Sequence, residues 1–320
     1  MLLSVRNLTT CFNTKRGNVC PVDAVSFDIE EKETLGLVGE SGCGKSTLAK
    51  TLMRLIDPSA GQILLDDEDI THLPEAELKQ VRPKVQMIFQ DPYGSLNPRK
   101  TIGQIIEEPL EVHRVGTRLE RSDRAHSLME RVGLRSEAAM RFPHELSGGQ
   151  RQRVGIARAL ALEPRLVICD EPVSALDISI RAQVLNLLLS LQDELGFAYL
   201  FISHDLSVVR HVSDRVAVMY LGKLVELGEN GEIWKNPAHP YTRALIAAIP
   251  DMRATRREPG RGVLAGDLPS PSAPPPGCRF HTRCGIAEPR CARSEPVYQQ
   301  NGDGHWVACH LANGLVQETT

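Results

Sequence analysis

From Leu3 to about Ala238 the chain alternates short apolar runs with longer amphipathic ones, the pattern of an α/β architecture with a mainly parallel sheet. Three apolar runs, Thr34 to Val38, Leu166 to Cys169 and Tyr199 to Ile202, are nearly continuous and end in polar or glycine residues. They predict strands buried on both faces. Between about Tyr93 and Pro164 the apolar period becomes helical, with helices expected over Ile102–Val112, Arg121–Val132 and Gln150–Leu162. This stretch, about 93–164, reads as an inserted helical subdomain. Beyond Trp234 the pattern fades, and Pro250 to Gly277 is rich in Pro, Arg and Gly. That segment reads as a linker to a small tail over 278–310.

Composition narrows the picture only slightly. The chain has 320 residues, 42% hydrophobic and 24% charged, enough for one large domain with an appendage or for two modest domains. A net charge of −3 is too small to suggest a nucleic-acid coat. No run approaches the ~18–20 apolar residues of a membrane helix, and MLLSVRNLTT lacks a basic segment followed by an apolar one. The expectation is a chain kept in the cytoplasm. Of eight cysteines, Cys11, Cys20, Cys43 and Cys169 are scattered and do not read as a disulfide framework.

Chemistry enters at the ends of the three strands. Gly39-Glu40-Ser41-Gly42-Cys43-Gly44-Lys45-Ser46 fits GxxxxGK[ST] between a strand and a helix expected to start near Thr47. Glycines let backbone N–H groups curl around phosphate oxygens, Lys45 reaches the outer phosphates, and Ser46 is placed to ligate Mg²⁺. The second strand ends in Asp170 and Glu171, and ligands of such sheets sit at strand C-termini. Asp170 would hold the Mg²⁺ shell and Glu171 would orient or deprotonate a water, since phosphoryl transfer is mostly positioning and charge stabilisation. Acids at a strand end are often only solvated loop residues; the phosphate loop upstream changes the balance. The third strand delivers His204, then Asp205. Ser147, Gly148 and Gly149 precede the helix from Gln150 and form a second anion-binding helix start.

With Leu146-Ser147-Gly148-Gly149-Gln150 after the helical insert, the chain resembles the ATP-binding cassette family over about Leu3 to Ala238. The resemblance implies a P-loop NTPase cassette over 1–238, with a RecA-like core, an N-terminal antiparallel β subdomain and the inserted helical subdomain, followed by a C-terminal extension over 239–320 with an irregular Cys-rich tail. It implies ATP and Mg²⁺ as cofactors. Phe12 would stack adenine, Gln90 would be the Q-loop residue and an Mg²⁺ ligand beside Ser46 and Asp170, Ser174-Ala175-Leu176-Asp177 the D-loop, and His204 the switch histidine. Two cassettes would meet head to tail, each ATP lying between one chain's Lys45 region and its partner's signature.

Within the family, Gln90-Asp91-Pro92-Tyr93-Gly94-Ser95-Leu96-Asn97-Pro98 and Asn236-Pro237-Ala238-His239-Pro240-Tyr241-Thr242-Arg243 resemble the ATPases of oligopeptide and dipeptide importers, most like the second, F-type, of two paired subunits. That resemblance implies an ATPase on the cytoplasmic face of the membrane, energising import of peptides or related small solutes such as nickel. Its partners would be a paralogous ATPase, two permease subunits and an extracytoplasmic binding protein, with no nucleic acid. Two alternatives are a soluble cassette ATPase acting on nucleic acid or ribosomes, and a regulatory subunit without turnover. Against the first stand the single cassette and the tail; against the second, Glu171 and His204.

Cys278, Cys284, Cys291 and Cys309 stand with five, six and seventeen residues between successive members. In a reducing compartment such crowding suggests metal, though the spacing is not the C-x₂-C of zinc ribbons. Three readings follow: a [4Fe–4S] cluster, put first by similarity to importer ATPases with such a tail, Zn²⁺, or metal-free thiols. His281, His305 and His310 are candidate substitute ligands.

Overall fold

The computed structural model describes residues 1–15, 17–249, 267–302 and 304–312, so most of the expected linker lies outside the described residues. In chain order the strands are β1 (Leu3–Thr14), β2 (Gly17–Ile29), β3 (Thr34–Val38), β4 (Ala60–Leu65), β5 (Glu68–Asp69), β6 (Val85–Ile88), β7 (Leu166–Asp170), β8 (Ala198–Ser203), β9 (Arg215–Tyr220), β10 (Lys223–Glu229), β11 (Gln299–Gln300) and β12 (Trp306–Val307). The helices are α1 (Lys45–Leu52), α2 (Glu75–Val81), α3 (Pro92–Ser95), α4 (Ile102–Val112), α5 (Arg118–Arg131), α6 (Gly148–Leu160), α7 (Ile178–Leu195), α8 (Leu206–Val212), α9 (Asn230–Lys235) and α10 (Pro240–Ala247). The chain divides into two compact units, one of residues 1–3, 29–33 and 65–202, the other of 4–28, 34–64 and 203–320.

In the first unit β6, β7 and β8 pair in parallel, with Ile88 opposite Cys169 and Asp170 opposite Ile202. Every residue of β7 and β8 is buried, which is why their apolar runs are continuous rather than alternating. The insert is helical as expected. Helix α4 buries Ile102, Ile105, Ile106 and Leu110, a stripe at helical spacing in which each side chain contributes about 1.5–3 kcal/mol of burial. Helix α5 starts three residues before the expected Arg121 because Thr117 and Glu120 close a capping box. Helix α6 starts at Gly148 because Ser147 and Gln150 close another.

In the second unit β3 runs parallel to β9, with Val38 opposite Val218, and β9 turns back antiparallel into β10. The tail adds β12 to the other edge of β10, placing Val307 opposite Glu226. Strands β1, β2 and β4 are neighbours in the order β2-β1-β4 within another sheet. Cys11 and Cys20, which did not read as a pair, are joined by a disulfide across the β1–β2 hairpin. Pairing of β1 with β2 brings them opposite one another, a proximity their scattered positions in sequence conceal. Among the described residues no helix is long and apolar enough to cross a membrane.

Candidate active site

The phosphate loop lies in the second unit, between the end of β3 and α1. Gly44 takes φ +115° at the cap of α1, and a Cβ there would fall 1.8 Å from the Pro21 carbonyl oxygen. Only glycine passes that point. Lys45 is buried, and its Nζ donates to the carbonyls of Gly39 (2.7 Å) and Glu40 (3.0 Å). Its ammonium is thereby anchored on the loop. Ser46 and Thr47 follow in the first turn of α1. Burial pushes the Cys43 thiol up, against the nearby Lys45 charge, so Cys43 packs the loop as a neutral group.

Glu40 is tied from outside the loop. Its backbone N–H donates to the Tyr241 hydroxyl (2.9 Å), and its carboxylate takes both terminal nitrogens of Arg283 (2.6 and 3.0 Å). Tyr241 belongs to the expected hallmark segment, and the structure gives that segment a physical role. The buried Glu226 carboxylate accepts from Ala238 N (2.6 Å), His239 N (2.9 Å) and His305 Nε2 (2.7 Å). His239 in turn accepts from Tyr241 N through Nδ1 (3.0 Å), capping α10. The Tyr220, Tyr241 and Phe280 rings pack around this point with centroids 4.7–5.3 Å apart. Residues Glu226 and Arg283 carried no local sequence signal.

Also in this unit, His204 is exposed directly after β8. Asp205 caps α8 by accepting from Ser207 N (2.9 Å) and Val208 N (3.4 Å). Phe12, on β1 beside the disulfide, keeps an exposed ring.

The carboxylate pair lies in the first unit. Asp170 is the last residue of β7 and is 5% exposed. Glu171 follows in the left-handed region at φ 48°, with its N–H bonded to the Ile202 carbonyl (3.0 Å). Gln90 Nε2 donates to Glu171 Oε2 at 2.9 Å, so the structure brings these two candidates together. Ser147, Gly148, Gly149 and Gln150 begin α6, where a Cβ on Gly149 would meet Ile180 Cγ2 at 2.6 Å. Asp177 stands at the start of α7, with its carbonyl bonded to Arg181 N (2.8 Å). Helix α6 also grips the segment after Gln90. The Arg151 guanidinium lies 5.0 Å over the Tyr93 ring, and Arg158 donates to the Ser95 carbonyl. Neither arginine was a sequence candidate.

The metal expectation for the tail finds no support among the described residues. Burial raises the thiols of Cys278, to about 11, and of Cys284 and Cys309, and the neighbouring tail cysteines add to each shift. His281 bonds through Nδ1 to the Cys278 carbonyl (2.8 Å), His310 through Nε2 to the Ser294 carbonyl (2.9 Å), and His305 to Glu226. Among the described residues no three His, Cys, Asp or Glu side chains are arranged to hold a metal ion. The [4Fe–4S] and Zn²⁺ readings of Cys278, Cys284, Cys291 and Cys309 therefore find no support in the geometry.

Comparison with known proteins supplies the context for these two sets of residues. The ABC transporter family model matches residues 22–174, and the model of the oligopeptide/dipeptide transporter C-terminal region matches residues 225–291. The oligopeptide transport ATP-binding protein AppF of Bacillus subtilis is 56% identical over 304 residues, 94% of this chain and 92% of that protein. The probable peptide ABC transporter ATP-binding protein y4tS of Sinorhizobium fredii is 52% identical over 319 residues, 97% of this chain and 90% of that protein. Among solved structures, the dimeric post-hydrolysis state of the ATP-binding cassette MJ0796 bound to ADP and Pi aligns with a TM-score of 0.66 and 30% identity. It covers 72% of this chain and 99% of that one.

Proposed function

The chain belongs to the ATP-binding cassette family, and from that membership we propose that it is the ATP-hydrolysing subunit of a membrane importer of di- or oligopeptides. The observation that carries the proposal is the Gln90–Glu171 hydrogen bond at the end of β7, one residue beyond buried Asp170. It holds a carboxylate in a defined orientation, as a residue that must align an attacking water requires.

In this reading Phe12 stacks adenine, the N–H groups from Gly39 to Ser46 and the Lys45 ammonium hold the phosphates, and Glu171 takes the proton of the attacking water. His204 contacts the γ-phosphate. The Ser46 hydroxyl, the Asp170 carboxylate and the Gln90 amide oxygen are the hard oxygen donors that Mg²⁺ takes, and the ion would neutralise charge on the outer phosphates. A second cassette, a paralogue, supplies its own signature and D-loop, while this chain lends Ser147 to Gln150 and Asp177 to the partner's nucleotide. ATP-driven closure of the pair then moves two permease subunits fed by an extracytoplasmic binding protein, with this chain on the cytoplasmic face. The match through residues 225–291 favours import over the nucleic-acid alternative. Reconstitution of the complete transporter in proteoliposomes tests the proposal. Uptake of peptide that requires ATP on this chain's side is expected, and ATP hydrolysis indifferent to peptide and binding protein would refute it.

A further inference from the structure

The motif GxxxxGK[ST] leaves its second position open, and this chain fills it with Glu40. A carboxylate inside a loop whose purpose is to collect phosphate oxygens has the wrong sign for its surroundings. Yet every polar group of Glu40 is engaged. Its N–H is held by Tyr241, its carbonyl accepts from Lys45 Nζ (3.0 Å) and Cys43 N (3.2 Å), and its carboxylate is clamped by Arg283. The Arg283 side chain is 4% exposed and that of Glu40 27% exposed, so the pair is partly withdrawn from water. Arg283 is itself fixed, its N–H bonded to the Phe280 carbonyl (3.0 Å) and its guanidinium 5.9 Å from the Tyr220 ring centroid. Two separate parts of the C-terminal region, 243 and 201 residues from Glu40 in sequence, thus converge on one residue of the loop.

We propose that Arg283 is a positioning residue for ATP binding: its guanidinium neutralises Glu40 and braces the phosphate loop, making the tail an integral part of the nucleotide site. Planar, two-point pairing is the geometry at which arginine cannot be replaced by lysine without loss. The proposal rests on the ATPase reading above. It also assigns the tail a task that needs no metal.

The test uses the complete transporter with the wild-type chain, Arg283→Ala, Arg283→Lys, Glu40→Gln and the double variant Arg283→Ala/Glu40→Gln. ATP affinity is read with a fluorescent ATP analogue, and KM and kcat by phosphate release. Binding by the wild type is scored first and reports on the ATPase reading alone. Arg283→Ala is expected to weaken ATP about tenfold in Kd and KM with kcat changed less than about twofold, the size of losing one charged hydrogen-bonded partner. Arg283→Lys should lie between. The double variant should bind ATP better than Arg283→Ala, because removing the carboxylate that has lost Arg283 removes the repulsion, and the deficit of Arg283→Ala should shrink at high salt. A merely structural role would give no such rescue. Wild-type binding accompanied by an unchanged Kd in both Arg283 variants, or a double variant weaker than Arg283→Ala, would overturn the proposal and leave the ATPase reading standing.

Discussion

Gln90 and Glu171 are joined by an Nε2-to-Oε2 hydrogen bond of 2.9 Å although 81 residues separate them in the chain. Strand β6 ends two residues before Gln90 and pairs in parallel with β7, so the sheet carries both side chains to the same edge. If the bond aligns the carboxylate for its water, Gln90→Ala should lower the steady-state ATPase rate about 10- to 100-fold, the cost of misplacing a reacting group by a fraction of an ångström to an ångström. Phosphate release from the assembled transporter measures it. A rate within twofold of wild type would show that the bond does not serve catalysis.

Gly44→Ala should abolish nucleotide binding. The added Cβ would meet the Pro21 carbonyl at 1.8 Å in a backbone conformation that L-residues rarely adopt, so either the loop or β2 must move. Equilibrium binding of an ATP analogue, with thermal unfolding alongside, checks this. Retained affinity would contradict the fixed-loop geometry.

His239 makes stability depend on pH. Burial lowers its pKa to about 4, against the opposing pull of the Glu226 carboxylate, while the unfolded side chain titrates at an ordinary value. Between those values the unfolded chain binds a proton that the folded chain refuses, so the contribution is complete above the unfolded pKa and is lost as pH falls towards 4. Urea unfolding should show about 2 kcal/mol less stability at pH 5 than at pH 7 from this group. His239→Asn retains an acceptor for the α10 cap and should remove that part of the slope. An unchanged slope in the variant would refute the assignment.

Sequence made some features plain and hid others for physical reasons. Strand β3 and helix α4 occupy the expected residues because burial on both faces and a full apolar stripe leave strong local patterns. The start of α5 was displaced by a Thr117–Glu120 capping box, a local signal that the apolar period alone does not contain. The Cys11–Cys20 bridge depends on a hairpin that sets two distant-looking thiols opposite one another. In the tail, spacing of four cysteines suggested a metal shell, whereas among the described residues no such group of ligands is assembled and His281 and His310 are bonded to backbone carbonyls. Arg283 illustrates the deeper limit. It sits among other arginines of the tail, and only folding brings it to Glu40.

The most direct measurement of the central claim is the ATPase rate of Glu171→Gln in the complete transporter, with retained nucleotide assayed on the same sample. Gln keeps the size of the side chain and a partner for Gln90 but removes the base. Hydrolysis should fall by about 100-fold or more while ATP stays bound, in line with the usual contribution of a general base. An undiminished rate would contradict the assignment of Glu171, and with it the account of how this chain drives transport.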